Sequence, residues 1–168
     1  KKKKDKRLIN EYKKILKYKK MIKFVYQNKP LGTGNAVLKT KKFIKDNYFL
    51  MILPDDLIIN NNCSKSIISV HNKFKLPVLS SLKVKKTHVS RWGIFKVKKK
   101  LSKSNFLVSG VIEKPSINRA PSNMAIIGRY ILPKKIFKKI KKLKKGKSDE
   151  IHITDAIQSL ILENNNFV

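Results

Sequence analysis

The sequence predicts an α/β fold with a mixed, mainly parallel sheet and helices on both faces. Apolar and β-branched runs of strand length alternate along the chain with longer segments of helical periodicity. This alternation is typical of neighbouring strands that are connected by crossover helices. The run YFLMIL, residues 48–53, is apolar at every position, which indicates a strand buried on both faces. Because the 168 residues show no internal repeat and no composition break, we expect a single domain over residues 1–168.

The chain before this run is predicted to contain two helices and a short strand. Residues 5–22 place apolar side chains at helical spacing with charged residues opposite, which indicates an amphipathic helix. The β-rich residues 23–27 predict a strand. The loop NKPLGTGN, residues 28–35, carries two glycines and leads into a predicted helix over 35–47.

The segments after this run predict a helix, a strand and then a pair of antiparallel strands. Residues 63–74 are predicted to be helical with Ser64 as N-cap. PVLSSLKV, residues 77–84, predicts the next strand. RWGIFKV (91–97) and FLVSGVIEK (106–114) flank a polar segment, which is the pattern of a hairpin.

The last third of the chain predicts a strand followed by two helices. MAIIGRYIL, residues 124–132, has the composition of a strand, and ITDAIQSLILEN, residues 153–164, has that of a helix. Between them, residues 133–145 predict a helix that opens with proline. Three apolar residues share one face of that helix: Ile136, Ile140 and Leu143.

Positive charge dominates the composition, with 41 Lys and Arg residues against 10 Asp and Glu and a formal net charge of +31. This charge is also typical of a non-catalytic nucleic-acid-binding protein, which is one alternative. The affinity of such a protein for nucleic acid would fall steeply with increasing salt concentration. Solvated lysines are the favoured interpretation, because only four of the basic residues are Arg and the lysines are spread along the whole chain. We therefore do not expect nucleic acid to be a partner.

Cysteine content and hydropathy indicate the compartment. The single cysteine, Cys63, excludes a disulfide framework within one chain and fits a reducing environment. No apolar run is long enough to span a bilayer, and no segment has the pattern of a signal peptide. We expect a cytoplasmic protein without a membrane partner.

Three polar stretches are expected at the carboxyl ends of strands, which is where ligands bind in open α/β sheets. Gln27 precedes the glycine pair, whose backbone could approach a planar base or a phosphate closely, although a tight turn would also explain the glycines. Asp55 and Asp56 follow the apolar run. A carboxylate there could hold Mg²⁺, although it could instead cap the following segment.

The third stretch is Glu113-Lys114-Pro115. Glu113 could accept hydrogen bonds from sugar hydroxyls, and Lys114 could meet a phosphate as a point charge. Strand alternation predicts that these two side chains point in different directions. An exposed acid and base before a turn is the alternative. The three histidines are too scattered for a metal cluster, and no Ser-His-Asp arrangement emerges, so we do not expect a hydrolase triad.

Four motifs together resemble the bacterial UTP–glucose-1-phosphate uridylyltransferases: VYQNKPLGTGNAVL, FLMILPDDLI, VSGVIEKPSINRAPSNMAIIGRYILP and DEIHITDAI. They stand in the family's order and cover most of residues 23–163. The long third motif separates this family from the related glucose-1-phosphate thymidylyltransferases. The resemblance implies a nucleotidyltransferase fold, which is Rossmann-like. The implied reaction is that of UTP with glucose 1-phosphate to give UDP-glucose and pyrophosphate, with Mg²⁺ as cofactor.

The resemblance also implies roles for the matching residues. Gln27 and the backbone of Gly32 would read the uracil. Asp55 would bind Mg²⁺ at the nucleotide with Asp56 as its supporting neighbour. Lys114 would neutralise the sugar phosphate, which makes Asp55 and Lys114 the implied catalytic residues. The implied sugar site comprises Lys114 with Gly93, Glu113, Asn123, Ile126, Gly128 and Tyr130.

The sequence departs from the family pattern at several positions. Asn35 stands where His is usual, Trp92 where Tyr is common and His152 where Gln is usual. The family's N-terminal Gly-rich triphosphate loop and a C-terminal segment with a further acidic metal contact have no match here. We therefore expect this chain to be the middle and sugar-binding portion of a longer enzyme, homo-oligomeric when complete and inactive as 168 isolated residues.

Two further alternatives share the implied scaffold. One is another sugar-nucleotide pyrophosphorylase, for example one that uses dTTP, which competition among UTP, dTTP, CTP and GTP would distinguish. The other is a degenerate relative that serves as a non-catalytic partner, which the unmatched triphosphate loop allows.

Overall fold

A computed structural model describes residues 5–59, 62–144 and 149–168. These residues form five α-helices and five β-strands, with three short 3-10 helices among the connections. The helices are α1 (Lys6–Lys19), α2 (Gly32–Lys39), α3 (Cys63–Phe74), α4 (Ile136–Lys142) and α5 (Ile153–Leu162). The strands are β1 (Tyr48–Ile52), β2 (Val78–Lys83), β3 (Gly93–Lys100), β4 (Phe106–Glu113) and β5 (Met124–Pro133).

The strand β5 organises the sheet. It pairs with β1 on one edge and with β2 on the other, so that Tyr130 lies opposite both Met51 and Leu79. Near its start, β5 also meets β3 through the pair Ile94 and Ala125, and β3 continues into the predicted hairpin with β4. The strand order is β1-β5-β3-β4, with β2 attached to β5.

Every ladder between the described strands is antiparallel, which corrects the prediction of mainly parallel pairing. Strands β1 and β2 do run in the same direction and are joined through α3, as a crossover unit requires. However, β5 lies between them and runs the opposite way. The alternation of strands and helices correctly predicts the crossover from β1 to β2. It cannot show that β5, which comes later in the sequence, lies between these two strands in the sheet.

Helices cover both faces of the sheet, as predicted. Successive residues of β5 point to opposite faces, and their core partners show the two layers. Ile131 packs with Ile67 of α3 in one cluster. Leu132 belongs to the main core with α2, α4 and α5, where Ile136 and Ile140 are fully buried and Leu143 is partly buried. Helix α4 ends at Lys142 and Leu143 follows it in extended conformation, so the helix stops before the predicted end at Lys145, a residue outside the described ranges.

Several predicted boundaries change in the structure. Residues 23–27 form no strand, since none of the described strands pairs with them. The helix expected from residue 35 begins at Gly32, and the helix expected from Pro133 begins at Ile136 because Pro133 ends β5. The N-cap of α3 is Asn62, whose side chain accepts a hydrogen bond from the Lys65 amide, not Ser64.

Two elements expose more apolar surface than their sequences suggest. Strand β1 alternates between exposed and half-buried residues, so the prediction of a strand buried on both faces is wrong. Its position at the end of the strand order explains this exposure. Helix α1 is amphipathic as predicted, but no residue of it is buried. None of the described helices has the length and apolar content needed to cross a membrane.

Candidate functional site

The acidic loop, residues 53–56, is held against β5 by four hydrogen bonds. The Gly128 amide donates to Asp56 Oδ2 at 2.6 Å, and the Leu53 amide donates to the Gly128 carbonyl at 2.9 Å. The Arg129 guanidinium donates to the carbonyls of Leu53 at 3.0 Å and Asp56 at 3.1 Å. A Cβ on Gly128 would lie only 2.6 Å from the Leu53 Cβ, so glycine is needed where the loop crosses the strand.

The two aspartates of this loop have different surroundings. Asp56 is half-buried and committed to the Gly128 amide. Asp55 is exposed at the cleft, and within the described residues its carboxylate makes no hydrogen bond or ion pair. An uncommitted carboxylate is a suitable Mg²⁺ ligand, because Mg²⁺ is commonly bound by one or two carboxylates together with substrate phosphates. In the described parts of the chain, no group of three or more His, Cys, Asp or Glu side chains could hold a metal by itself.

Glu113 lies at the end of β4, directly opposite Gly93 of β3. Its Oε2 accepts a hydrogen bond of 2.7 Å from the Thr154 hydroxyl at the start of α5. A Cβ on Gly93 would lie 3.2 Å from that oxygen and 3.0 Å from Thr154 Cγ2. Glycine at position 93 therefore keeps the space in front of the carboxylate open.

Lys114 adopts a left-handed backbone conformation with φ of 42°. Its amide donates to the Trp92 carbonyl at 3.0 Å, which fixes the chain at this bend. The bend breaks the strand alternation, so Glu113 and Lys114 both line the same cleft although alternation predicts different directions. A left-handed non-glycine residue costs of order 1 kcal/mol or more, and such strain concentrates at functional sites.

The glycine loop, residues 31–34, packs against the bridging segment, residues 151–154. The Gly34 amide donates to the Ile151 carbonyl at 2.7 Å, and the Ile151 amide donates to the Leu31 carbonyl at 2.9 Å. Gly32 has φ of 87°, and a Cβ on it would lie 2.6 Å from the Ile151 carbonyl oxygen. Glycine is therefore needed at these positions at least in part because the backbone of Ile151 packs directly against them.

Gln27 and Gly32 are brought together as the sequence predicts. The Gln27 side-chain amide donates to the Gly32 carbonyl at 3.1 Å and to Asn35 Oδ1 at 3.0 Å. These bonds hold the amide nitrogen in place. Asn35, which departs from the family pattern, is therefore a partner of Gln27.

A cleft of about 330 Å³ lies between the acidic loop, the bend at Lys114 and the bridging segment, and Thr33 of the glycine loop also lines it. It is lined by Thr33, Leu53, Asp55, Asp56, Arg91, Trp92, Gly93, Glu113, Lys114, Ile126, Tyr130, Glu150, His152, Ile153 and Thr154. Ile126 and Tyr130, which the resemblance implies for a sugar site, are among these lining residues. Gln27 and Gly32 are not among the residues that line this cleft. Asn123 lies outside the cleft lining, and its side chain donates to the Val84 carbonyl at 3.1 Å. Gly128 contributes through its bond to Asp56.

Acidic residues concentrate at this cleft. Asp55, Asp56, Glu113 and Glu150 line it, which is four of the ten acidic residues in a chain of net charge +31. Burial raises the pKa of the Tyr130 hydroxyl, and the negative charges of Glu113, Asp56 and Asp55 raise it further. Tyr130 therefore stays protonated and can donate a hydrogen bond at neutral pH.

Two residues of the site were not predicted from the sequence. Arg129 anchors the acidic loop and Thr154 binds Glu113. Both lie within motifs quoted above, but their partners are distant in sequence. The sequence signal available for Arg129 is that it is one of only four arginines in a chain rich in lysine.

Comparisons with known proteins identify the family to which this chain belongs. A model of the nucleotidyl transferase family matches residues 1–168. UTP–glucose-1-phosphate uridylyltransferase 2 from Streptococcus pyogenes serotype M3 is 36% identical over 142 residues, which are 82% of this chain and 48% of that protein. The chain spans about half the length of the curated relatives that it matches.

Solved structures agree. The structure of a UDP-glucose pyrophosphorylase complexed with UDP-glucose matches 98% of this chain and 64% of that chain, with a TM-score of 0.86 and 29% identity. The UTP-bound UGPase from Acinetobacter baumannii matches 96% of this chain and 58% of that chain, with a TM-score of 0.72 and 26% identity. These likenesses confirm the fold that the sequence motifs imply.

Proposed function

Because this chain belongs to the nucleotidyl transferase family, we propose that its protein transfers a uridylyl group from UTP to glucose 1-phosphate. The products are UDP-glucose and pyrophosphate. The names of the similar uridylyltransferase and pyrophosphorylases support this choice of substrates. The proposal concerns the complete protein, since the chain spans about half the length of such relatives.

The observation that carries the proposal is the convergence of Asp55, Glu113 and Lys114 on one cleft, next to the glycine loop. The acidic loop follows β1, whereas Glu113 and Lys114 follow β4, and these strands are separated in the sheet by β5 and β3. The fold thus collects a carboxylate free for a cation, a carboxylate for hydroxyl groups and a cation for a phosphate. The cation and the metal-binding carboxylate suit a reaction between two phosphate-bearing substrates, and the second carboxylate suits a substrate with hydroxyl groups.

At the nucleotide end, Gln27 and Gly32 are proposed to read the uracil. Because the Gln27 amide nitrogen is held by Gly32 and Asn35, its Oε1 is the group left to accept a hydrogen bond from the base. The left-handed Gly32 exposes backbone beside it without a side chain in the way.

At the sugar end, Glu113 accepts hydrogen bonds from the glucose hydroxyls and Lys114 neutralises the 1-phosphate. Ile126 and Tyr130 provide the wall of the cleft. An oxygen of the 1-phosphate attacks the α-phosphorus of UTP in line, the bond from that phosphorus to the bridging oxygen breaks, and pyrophosphate leaves. No covalent intermediate with the protein is needed, so the residues act by positioning and by charge.

Mg²⁺ is the proposed cofactor. Asp55, with Asp56 beside it, would hold the ion, which would supply positive charge to offset the negative charge of the substrate phosphates. The free carboxylate of Asp55 and the anchored one of Asp56 fit this arrangement.

The proposal is tested by pyrophosphate release from UTP and glucose 1-phosphate, using the complete protein with Asp55→Asn or Lys114→Met. Each change removes a charge that faces the reacting phosphates, so activity should fall by about 100-fold or more. Folding should be unaffected, because the side chains of both residues are exposed. Asp46→Asn and Lys103→Met, at exposed positions outside the cleft, are the matched controls.

Wild-type protein that releases no pyrophosphate with these substrates would contradict the proposal, as would full activity of both cleft variants. Competition with dTTP, CTP and GTP identifies the nucleotide. Preference for dTTP would favour the alternative pyrophosphorylase.

A further inference from the structure

Helix α5 is tied to strand β4 by two side-chain hydrogen bonds. The Thr154 hydroxyl donates to Glu113 Oε2 at 2.7 Å, and the Val111 amide donates to Gln158 Oε1 at 2.7 Å. Residues four apart share one face of a helix, and backbone amides two apart in a strand point to the same edge of that strand. The spacings match, since four helical residues rise about 6 Å and two strand residues about 6.6 Å. The helix therefore lies antiparallel to β4 with its first turn against Glu113.

Thr154 is placed to control the Glu113 carboxylate. Its relative exposure is only 6%, so water competes little for its hydroxyl. Its methyl group packs over Gly93, which fixes the side chain from the other side. One oxygen of Glu113 is thereby engaged and the carboxylate is held in one orientation.

We propose that Thr154 is a positioning residue that sets how strictly the cleft discriminates between hexose 1-phosphates. This inference rests on the proposed function, in which Glu113 accepts hydrogen bonds from the sugar. A site that binds a hydroxyl at one position rejects sugars that lack it there, because the acceptor, shielded from water by the bound sugar, is then left unpaired. That rejection is strict only while the carboxylate cannot rotate to follow a displaced hydroxyl.

The backbone of the bridging segment, which carries Thr154, is itself held in place by hydrogen bonds. Immediately before Thr154, the Ile153 amide donates to Thr33 Oγ1 at 3.2 Å, and Ile151 is bonded to the glycine loop through both of its backbone groups. Thr154 is therefore fixed from the nucleotide side of the cleft as well as from β4.

The test compares Thr154→Val, Thr154→Ser and Thr40→Val in the complete protein. Valine keeps the shape of threonine and removes the hydroxyl, whereas serine keeps the hydroxyl. Thr40→Val removes a hydroxyl hydrogen bond of 2.8 Å to the Val37 carbonyl, outside the cleft, and so controls for lost stability. The measurements are kcat and KM for UTP and for glucose 1-phosphate, together with kcat/KM for galactose 1-phosphate.

For Thr154→Val we expect KM for glucose 1-phosphate to rise about threefold to tenfold, the effect of one hydrogen bond. KM for UTP should stay unchanged, and the preference for glucose over galactose 1-phosphate should fall by a similar factor. Thr154→Ser should restore both quantities, and Thr40→Val should change neither. Should the valine variant fail to fold, Thr154→Ala with its smaller side chain provides the same comparison.

Unchanged KM and unchanged sugar preference in the valine variant would overturn the inference while leaving the proposed function intact. Equal effects on both substrates that serine does not restore would also overturn it, because they indicate a purely structural role. Wild-type protein that does not join UTP to glucose 1-phosphate would overturn the proposed function and this inference with it.

Discussion

Arg129 shows how one side chain can organise a site without lining it. Its guanidinium spans the acidic loop from Leu53 to Asp56 and also donates to the Gly128 carbonyl at 2.7 Å. Three carbonyls converge on one planar group, which a lysine ammonium cannot reproduce because its donors leave from a single atom. The orientation of Asp55 therefore depends on a residue that contacts only the backbone around it.

Replacement of Arg129 by Lys is expected to loosen the acidic loop while keeping the charge. We expect kcat/KM for pyrophosphate release to fall by about tenfold or more, because small displacements of catalytic groups are costly. Steady-state kinetics and the melting temperature of the complete protein measure this. Arg119→Lys, the same change at an exposed position, is the control. Equal activity of the two variants would show that the loop does not need the guanidinium.

Among the secondary-structure elements, the best predicted are those defined by local pattern. The hairpin of β3 and β4 and the buried face of α4 follow from residue periodicity alone. The wrong predictions concern segments whose structure depends on pairing with residues distant in the sequence. Residues 23–27 have strand composition but no partner strand among those described, and β1 has the apolar content of a central strand but lies at an edge. The sequences of β1 and β2 contain no feature that would predict that β5 lies between them.

The same distinction applies to the candidate site. The sequence predicts three polar stretches at strand ends: Gln27, Asp55-Asp56 and Glu113-Lys114. The structure brings the last two together in one cleft. Sequence could not show that Thr154 binds Glu113, because 41 residues separate them. Nor could alternation foresee the left-handed bend at Lys114.

The start of α2 provides a test at the level of the element. Gly32→Ala would place a Cβ 2.6 Å from the Ile151 carbonyl oxygen on a backbone with φ of 87°. We expect a loss of stability of about 1–3 kcal/mol and weaker UTP binding, since the glycine loop must move. Thermal unfolding and calorimetric titration with UTP measure the two effects.

Gly110→Ala is the matched control for this change. Its Cβ would lie 3.2 Å from Gln158 Oε1 and 3.7 Å from Lys96 Cβ, so it meets side chains at ordinary or slightly tight distances and no backbone atom as close as the Ile151 carbonyl. A melting temperature lowered equally in both variants would contradict the importance of the close contact with Ile151.

For the whole molecule, charge distribution is more informative than net charge. The formal charge of +31 permits a nucleic-acid-binding interpretation, yet four of ten acidic residues line one cleft. Lysines spread over the remaining surface create a positive field that attracts any anion, including UTP and glucose 1-phosphate.

This field predicts a specific dependence on salt. Raising the ionic strength from about 0.02 M to 0.5 M shortens the Debye length from roughly 20 Å to about 4 Å, so kcat/KM for UTP should fall several-fold. The rate constant kcat should change little, because the reacting groups are already in contact. Initial rates at fixed free Mg²⁺ measure both, with sucrose as an uncharged control. A kcat/KM that is insensitive to salt would contradict the role of the field.

Among the described strands β1 lies at an edge, which has a consequence for how the 168-residue chain behaves at high concentration. Leu50 and Ile52 are 37% and 48% exposed on a strand that ends the strand order, and such an edge is a template for pairing with another chain. Two molecules that each carry +31 repel one another before their edges can meet. Resistance to aggregation therefore depends on the charge of the lysines as well as on the fold. Added salt screens the repulsion between molecules, so a solution that is clear in dilute buffer is expected to become turbid at high salt.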